Sequence, residues 1–204
     1  MHRYRIRRAP ASDAISPDWT RAEVLSAFTF PWEDTPAPLT EFRALWDDHS
    51  LHFRFDCHDA DLVLPDGPTI KDRVLGSDRV EIFFAPDLTL ASYHCLEMSP
   101  RGDALAYAAR FYRQIDWTWR CPGLQLTAQI TGPRYHVTGS IPLSTLRSLH
   151  LLRGNEIHAG LYRAEFSHRP DGTVHSGWMP WVDPHTPTPD FHLPASFGIL
   201  ELVP

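Results

Sequence analysis

The chain has 204 residues, 43% of them hydrophobic, which is enough for one compact domain with a single core. Acidic residues outnumber basic ones by 25 to 19, so the formal net charge is -6 and no broad basic surface is available for a phosphate backbone. No apolar run approaches the roughly 20 residues of a membrane-spanning helix. We therefore predict one domain over residues 1–204 that binds neither nucleic acid nor membrane.

The amino terminus predicts a strand. Residues 1–8 are basic and lead into Ala9-Pro10 instead of an apolar run, so they do not form a secretory leader. The chain is expected to be cytoplasmic as given, or a module cut from a secreted protein. Tyr4 and Ile6 alternate with arginines, a pattern typical of an edge strand.

The rest of the composition favours all-β structure. Nineteen prolines, 11 glycines and 12% aromatic residues disfavour long helices and suit short strands joined by rigid turns. Three cysteines without a Cys-x-x-Cys pair build neither a disulfide framework nor a thiolate zinc site, so they are interpreted as core residues.

Period-two alternation recurs along the chain and predicts hairpins and single strands. The predicted hairpins pair residues 41–46 with 51–56, 93–98 with 104–111, and 124–130 with 135–141. Further strands are predicted at 79–84, 157–166 and 197–202, one short helical turn at 142–149, and a proline-rich surface loop at 176–194. This pattern indicates a single antiparallel β-sandwich of jelly-roll or immunoglobulin-like type.

Seven tryptophans carry the strongest functional signal. Several stand beside polar loop residues, where a flat ring can pack against the C–H face of a sugar while nearby acids and arginines bind its hydroxyls. Each ring alone could instead close an end of the core. The group that predicts a binding surface comprises Trp32, Trp117, Trp119, Trp178 and Trp181.

Carboxylates offer two further possibilities. Glu81 and Glu97 are the pair to consider for glycoside hydrolysis, although no nucleophile elbow, zinc-protease motif or phosphate-binding loop accompanies them. Calcium is a candidate structural cofactor, and ordinary turn-forming aspartates are the alternative. The candidate ligands are Asp59 with Asp61, Asp13 with Asp18, and Asp183 with Asp190.

Five blocks in order, between about Trp19 and Leu202, resemble the family 9 carbohydrate-binding modules, a β-sandwich group related to DOMON-like domains. The blocks are ALWDDHSLHFRF at 44–55, DRVEIFF at 78–84, TGSIPL at 138–143, WVDP at 181–184 and PASFGIL at 194–200. The resemblance implies a module that is not an enzyme and that binds a xylan- or glucan-type sugar between two tryptophans, with calcium bracing loops.

By position, Asp78 and Glu81 match the acidic residues of that family's strand motif. This chain departs from the pattern elsewhere, because residues 75–77 lack the first stacking tryptophan, Phe191 replaces the second, and Cys95 replaces the binding arginine. Arg163 is a candidate replacement cation. The predicted carbohydrate site therefore consists of Asp78, Glu81, Arg163, Trp181, Phe191, Trp117, Trp119 and Trp32.

A second class of function also follows from the resemblance. Related DOMON-like domains hold b-type haem through axial Met and His or Lys, and Met98 or Met179 with a histidine could act as such ligands. A methionine on a strand is more often core filler, so sugar binding is the favoured interpretation.

Overall fold

The computed structural model describes residues 1–10 and 17–204. Its strands are β1 (Arg3–Arg8), β2 (Thr40–Trp46), β3 (Ser50–His58), β4 (Arg79–Ala85), β5 (Tyr93–Met98), β6 (Ala104–Arg110), β7 (Gln114–Asp116), β8 (Gln125–Ile130), β9 (Arg134–Pro142), β10 (Leu152–Arg153), β11 (Glu156–His168), β12 (Val174–Pro180) and β13 (Gly198–Val203). The helices are α1 (Ile70–Leu75) and α2 (Leu143–Ser148), with 3-10 turns at Trp19–Arg21 and Pro194–Ser196.

The strands form one hydrogen-bonded sheet in the order β7-β6-β5-β4-β11-β13-β1-β2-β3-β9-β8, with β10 and β12 also paired to β11. All three predicted hairpins are confirmed, since β2 pairs with β3, β5 with β6 and β8 with β9. The predicted helical turn is confirmed as α2. The mostly β composition is therefore confirmed, while a division into two packed sheets stays a prediction.

Alternation along β4 separates two apolar layers. Val80, Ile82 and Phe84 pack into the main core, whereas Phe83 packs into a second cluster on the opposite face. Every residue of β4 is buried, because the strand is covered on both faces. The polar members of the second face, Arg79 and Glu81, therefore lie beneath other structure and not in solvent.

Three local predictions need correction. The first strand is not at an edge, since β1 runs parallel to both β13 and β2 and lies between them. Alternation shows which face of a strand is buried, but it does not show whether the strand's edges are paired. Residues 174–180 form β12 along the second half of β11, so the start of the predicted loop is a strand. Finally, the predicted loop before β4 contains α1, which begins with a capping box between Thr69 and Asp72.

Among the described residues, no helix is both long enough and apolar enough to cross a bilayer.

Candidate functional site

A cavity of about 430 Å³ opens on the outer face of β4, β5 and β6. Strand residues form its floor, the segment after β7 and the end of α1 form one side, and Trp178 with the segment before β13 forms the other. Its lining residues are Leu75, Arg79, Glu81, Glu97, Tyr107, Arg113, Ile115, Trp117, Trp178, Pro189, Asp190, Phe191 and His192. The cavity is thus a mixed aromatic and charged site on a sheet surface.

The floor holds two carboxylates and one guanidinium. Glu81 and Glu97 are opposite each other in the β4–β5 register. Arg79 Nε donates to Glu97 Oε2 at 2.7 Å, and Glu81 Oε1 lies 2.9 Å from the same nitrogen. The hydroxyl of Tyr107 donates to Glu97 Oε1 at 2.8 Å. Both oxygens of Glu97 are therefore occupied by protein donors.

Glu81 is less well satisfied than Glu97. Its Oε1 is buried and accepts no hydrogen bond with good geometry, since the Arg79 N–H points to Glu97. Burial, followed by the negative charge of Glu97, raises the pKa of Glu81 to about 8. A buried acceptor without a donor is costly, and here it belongs to a residue that lines the cavity. Glu81 is thus the residue on the floor that is best placed to accept a hydrogen bond from a ligand.

Aromatic rings form the walls. Trp178 is half-buried and meets Phe191 edge-on at 5.7 Å between ring centroids. Phe191 stacks on Tyr162 at 4.1 Å with an interplanar angle of 11°, which fixes the orientation of both rings. On the other side, Trp117 packs against Tyr107 at 4.9 Å. The cavity therefore lies between two half-buried tryptophans, with Phe191 held rigidly behind one of them.

Ion pairing secures the loop at the rim. Arg113 Nη2 donates to Asp190 Oδ1 at 2.8 Å, and Tyr112 donates its hydroxyl to Asp190 Oδ2 at 2.5 Å. His192 Nδ1 and the Tyr93 hydroxyl share a hydrogen bond of 2.9 Å, and burial lowers the pKa of His192 to about 4. At neutral pH this rim therefore carries a balanced ion pair and an uncharged imidazole.

The structure brings some of the sequence-predicted site residues together and separates others. Glu81, Phe191 and Trp117 line the cavity. Trp32 lies behind it, with its ring 6.2 Å from Phe191 and its Nε1 donating to the Thr186 carbonyl.

The remaining four predicted residues do not line the cavity. Trp181 is buried in the main core with its ring edge-on to His2, and Trp119 packs against His94. Arg163 is fully buried on the opposite face of β11 from Tyr162, and Asp78 is also buried. The expected convergence of rings and acids at one site therefore holds only in part.

Asp78 and Arg163 belong to a buried ionic cluster near the end of the main core. Carboxylate oxygens of Asp59, Asp78 and Glu165 lie within 4.8 Å of one another. Arg163 Nη2 pairs with Asp59 Oδ2 at 3.2 Å and also with Glu165. One guanidinium balances only one of three carboxylates, so Asp59, Asp78 and Glu165 are grouped closely enough to hold a cation such as calcium, and the calcium site at Asp59 stays a prediction.

Burial and repulsion between carboxylates raise the pKa of two members of this cluster, Asp78 and Glu165. The pKa of Asp78 is raised to about 7, by burial first and then by Asp59. Burial raises the pKa of Glu165 to about 8. Asp78 also accepts the backbone N–H groups of Val63 and Phe166, so its role in the structure is to join the loop before α1 to β11.

The other calcium candidates have ordinary partners. Asp61 pairs with His168, Asp183 with His185, and Asp190 with Arg113. Asp18 accepts from Thr20 at the start of a 3-10 turn, and Asp13 lies outside the described residues.

Sequence reasoning missed Arg79 and Arg113 as site residues. Arg79 stands two residues before Glu81 on one strand, so the period-two rule places both side chains on the same face. That signal was present in the sequence. Arg113 reaches the cavity from a turn with φ of 56°, and no sequence pattern indicated that position.

The family profile described as "Carbohydrate family 9 binding domain-like" matches residues 13–204. The chain belongs to this family. No curated protein matches the chain in sequence.

Solved structures share the fold of this family 9 domain. A "putative carbohydrate-binding protein" from Bacteroides uniformis is 17% identical, with a TM-score of 0.75 over 98% of this chain and 99% of that one. A family 9 module from Caldicellulosiruptor kristjanssonii in complex with glucose is 18% identical, with a TM-score of 0.61 over 98% and 95% of the two chains. A cellotriose complex of a family 9 module from the same organism is 16% identical, with a TM-score of 0.62 over 98% and 93%.

Proposed function

We propose that the chain is a non-catalytic carbohydrate-binding domain and that its sugar site is the cavity above Glu81 and Glu97. The observation that carries this proposal is the unpaired acceptor of Glu81, a residue that lines a cavity walled by Trp117 and Trp178. Family membership supports the same class of ligand.

The lining matches the two chemical faces of a sugar. The half-buried ring of Trp178 lines the cavity, where an aromatic ring can pack against axial C–H groups of a sugar. Hydroxyl groups can donate to Glu81 and accept from Arg79, whose Nη2 makes no hydrogen bond among the described residues. Stacking and charge-assisted hydrogen bonds together would fix the sugar's orientation.

Glucose and short β-glucans are the first ligands to test, because the Caldicellulosiruptor modules were solved with glucose and cellotriose. Xylan-type sugars share the ring shape without the exocyclic hydroxymethyl group. A cavity of about 430 Å³ lies at the small end of the usual range for ligand sites, which suits a short saccharide.

The floor geometry favours binding over hydrolysis. Glycosidases place two carboxyl groups on either side of the scissile bond with room for the sugar or water between them. Here one nitrogen of Arg79 lies 2.7 Å from Glu97 and 2.9 Å from Glu81, so the guanidinium occupies the space between the acids. For haem, Met98 and Met179 are both fully buried in the main core and do not line the cavity.

Isothermal titration calorimetry with glucose, cellotriose and xylotriose tests the proposal. We expect saturable heats for at least one glucan or xylan saccharide. Absence of binding across this panel at millimolar sugar would overturn the proposed function. Release of reducing sugar from these saccharides, lost in Glu81→Gln, would contradict the non-catalytic assignment.

A further inference from the structure

Lys71 is the only lysine in the chain, and it contacts a residue that lines the cavity. It lies four residues before Leu75 on α1, and residues with that spacing share one face of a helix. Leu75 lines the cavity, and the Lys71 ammonium lies 3.8 Å from the centroid of the Trp117 ring, which also lines it. The chain's single lysine ammonium is therefore held beside the site by a cation–π contact.

The other charges of the cavity are paired with one another. Arg113 is neutralised by Asp190, and Arg79 by Glu97. Glu81 is protonated below about pH 8, because its pKa is raised by burial and by Glu97. His192 is uncharged at neutral pH, since burial lowers its pKa to about 4. These groups together contribute no net charge.

Lys71 has no such partner. It makes no ion pair or hydrogen bond within the part of the chain that the structure describes, and the neighbouring carboxylate of Asp72 is used in the capping box with Thr69. The Lys71 ammonium is consequently a cation beside the cavity that has no ion-pair partner among the described residues, although the whole chain has a formal net charge of -6. A negatively charged group on the ligand would complement this charge at the rim.

We infer that the sugar site prefers an acidic sugar, a uronic acid or a saccharide bearing one, whose hydroxyls meet the floor and whose carboxylate pairs with Lys71. This inference rests on the proposed sugar-binding function and narrows its ligand class. The cation–π contact leaves the ammonium exposed on its other sides, so it can pair with a carboxylate without leaving Trp117.

The test compares methyl β-D-glucuronide with methyl β-D-glucoside by calorimetry at neutral pH and low salt. We expect the glucuronide to bind about two- to fivefold more tightly, as one partly exposed ion pair provides, and the preference to shrink at high salt. Lys71→Gln should bring the two affinities together, whereas Lys71→Arg should keep the preference. Arg147→Gln, an exposed charge change on α2, is the matched control and should alter nothing.

A second readout uses the single lysine. An amine-reactive acetylating reagent can modify only Lys71 and the amino terminus, so mass spectrometry reports protection of Lys71 directly. We expect the glucuronide to protect it more than the glucoside does. Equal affinity and equal protection with both sugars would overturn this inference and leave sugar binding intact, whereas failure of both sugars to bind would remove both proposals.

Discussion

Glu81 and Glu97 face each other across neighbouring strands, and a single nitrogen of Arg79 lies within 2.9 Å of one oxygen from each. The guanidinium compensates one negative charge, while burial and then the charge of Glu97 raise the pKa of Glu81 to about 8 and hold that carboxyl protonated at neutral pH. The floor of the cavity is consequently a nearly neutral polar surface, as suits an uncharged ring of hydroxyls.

This arrangement predicts a stability that falls as pH rises. Glu81 ionises near its ordinary pKa of 4.5 in the unfolded chain but near 8 in the folded one, so unfolding releases a proton between these values. Its contribution is fully present below about pH 4.5 and is lost as pH rises through about 8. Urea unfolding from pH 5 to pH 8 should show the loss, at most about 1.4 kcal/mol per pH unit from this group.

Glu81→Gln should flatten that slope, because the amide does not titrate. A residual slope from Glu165 and Asp78 should remain, since their pKa values are also raised. Asp66→Asn is the control, as the Asp66 side chain is 96% exposed. A slope unchanged by Glu81→Gln would show that this carboxyl is ionised in the folded domain.

Removal of the Trp178 ring should weaken sugar binding by about tenfold, because a central aromatic contact commonly accounts for more than 1 kcal/mol of binding energy. Trp178→Ala is measured by calorimetry with the best saccharide found. Trp119→Ala is the control, since Trp119 packs against His94 and does not line the cavity. Thermal melts of both variants confirm folding. Equal loss of affinity in the two variants would place the site elsewhere.

Arg163 should matter for stability and not for the ligand. Arg163→Met leaves Asp59 and Glu165 buried without their cation, which typically costs about 3–5 kcal/mol. Arg54→Met, which removes a half-exposed partner of Asp56, should cost less than about 1 kcal/mol. Chemical denaturation checks both. If folded Arg163→Met lost sugar affinity at full stability, a direct binding role for Arg163 would follow.

Gly160 controls the position of the ring behind Phe191. A Cβ at this position would lie 1.8 Å from the Tyr162 hydroxyl, so Gly160→Ala must displace that ring and with it the stacked Phe191. We expect a loss of about 1–3 kcal/mol in stability together with weaker sugar binding. Ser167→Ala on the same strand is the control. Unchanged melting and affinity in Gly160→Ala would show that Tyr162 has room to move.

The hairpins were predictable because each has a local signal. Alternation in β2 and β3 flanks a turn at Asp47, and the pairing follows directly. The place of β1 was not predictable, because its neighbours β13 and β2 come from opposite ends of the chain. The strand character of β12 was obscured by Gly177, Trp178 and Pro180, which also suit a loop.

The site was predictable in part, since Glu81, Phe191 and Trp117 are the predicted residues that line the cavity. Glu81 belongs to a pattern that fixes its face, and it lines the cavity. No such pattern fixes the direction of the tryptophan side chains. The ring of Trp181 packs in the core, although a ring of the same chemistry would also suit a ligand site. Composition can count aromatic side chains, but tertiary packing decides which ones reach solvent.

Strand β11 holds both ends of the segment that walls the cavity, since β12 pairs with its second half and β13 with its first. Residues 181–197 therefore connect two strands that both pair with β11. Phe191 and His192 lie in this connection, and Trp178 lies just before it. Substitutions or length changes in this connection can alter the shape of the ligand cavity without shifting the register of any strand. We accordingly expect that differences in ligand selectivity among related domains arise mainly from this connection, while the strands of the sheet stay the same.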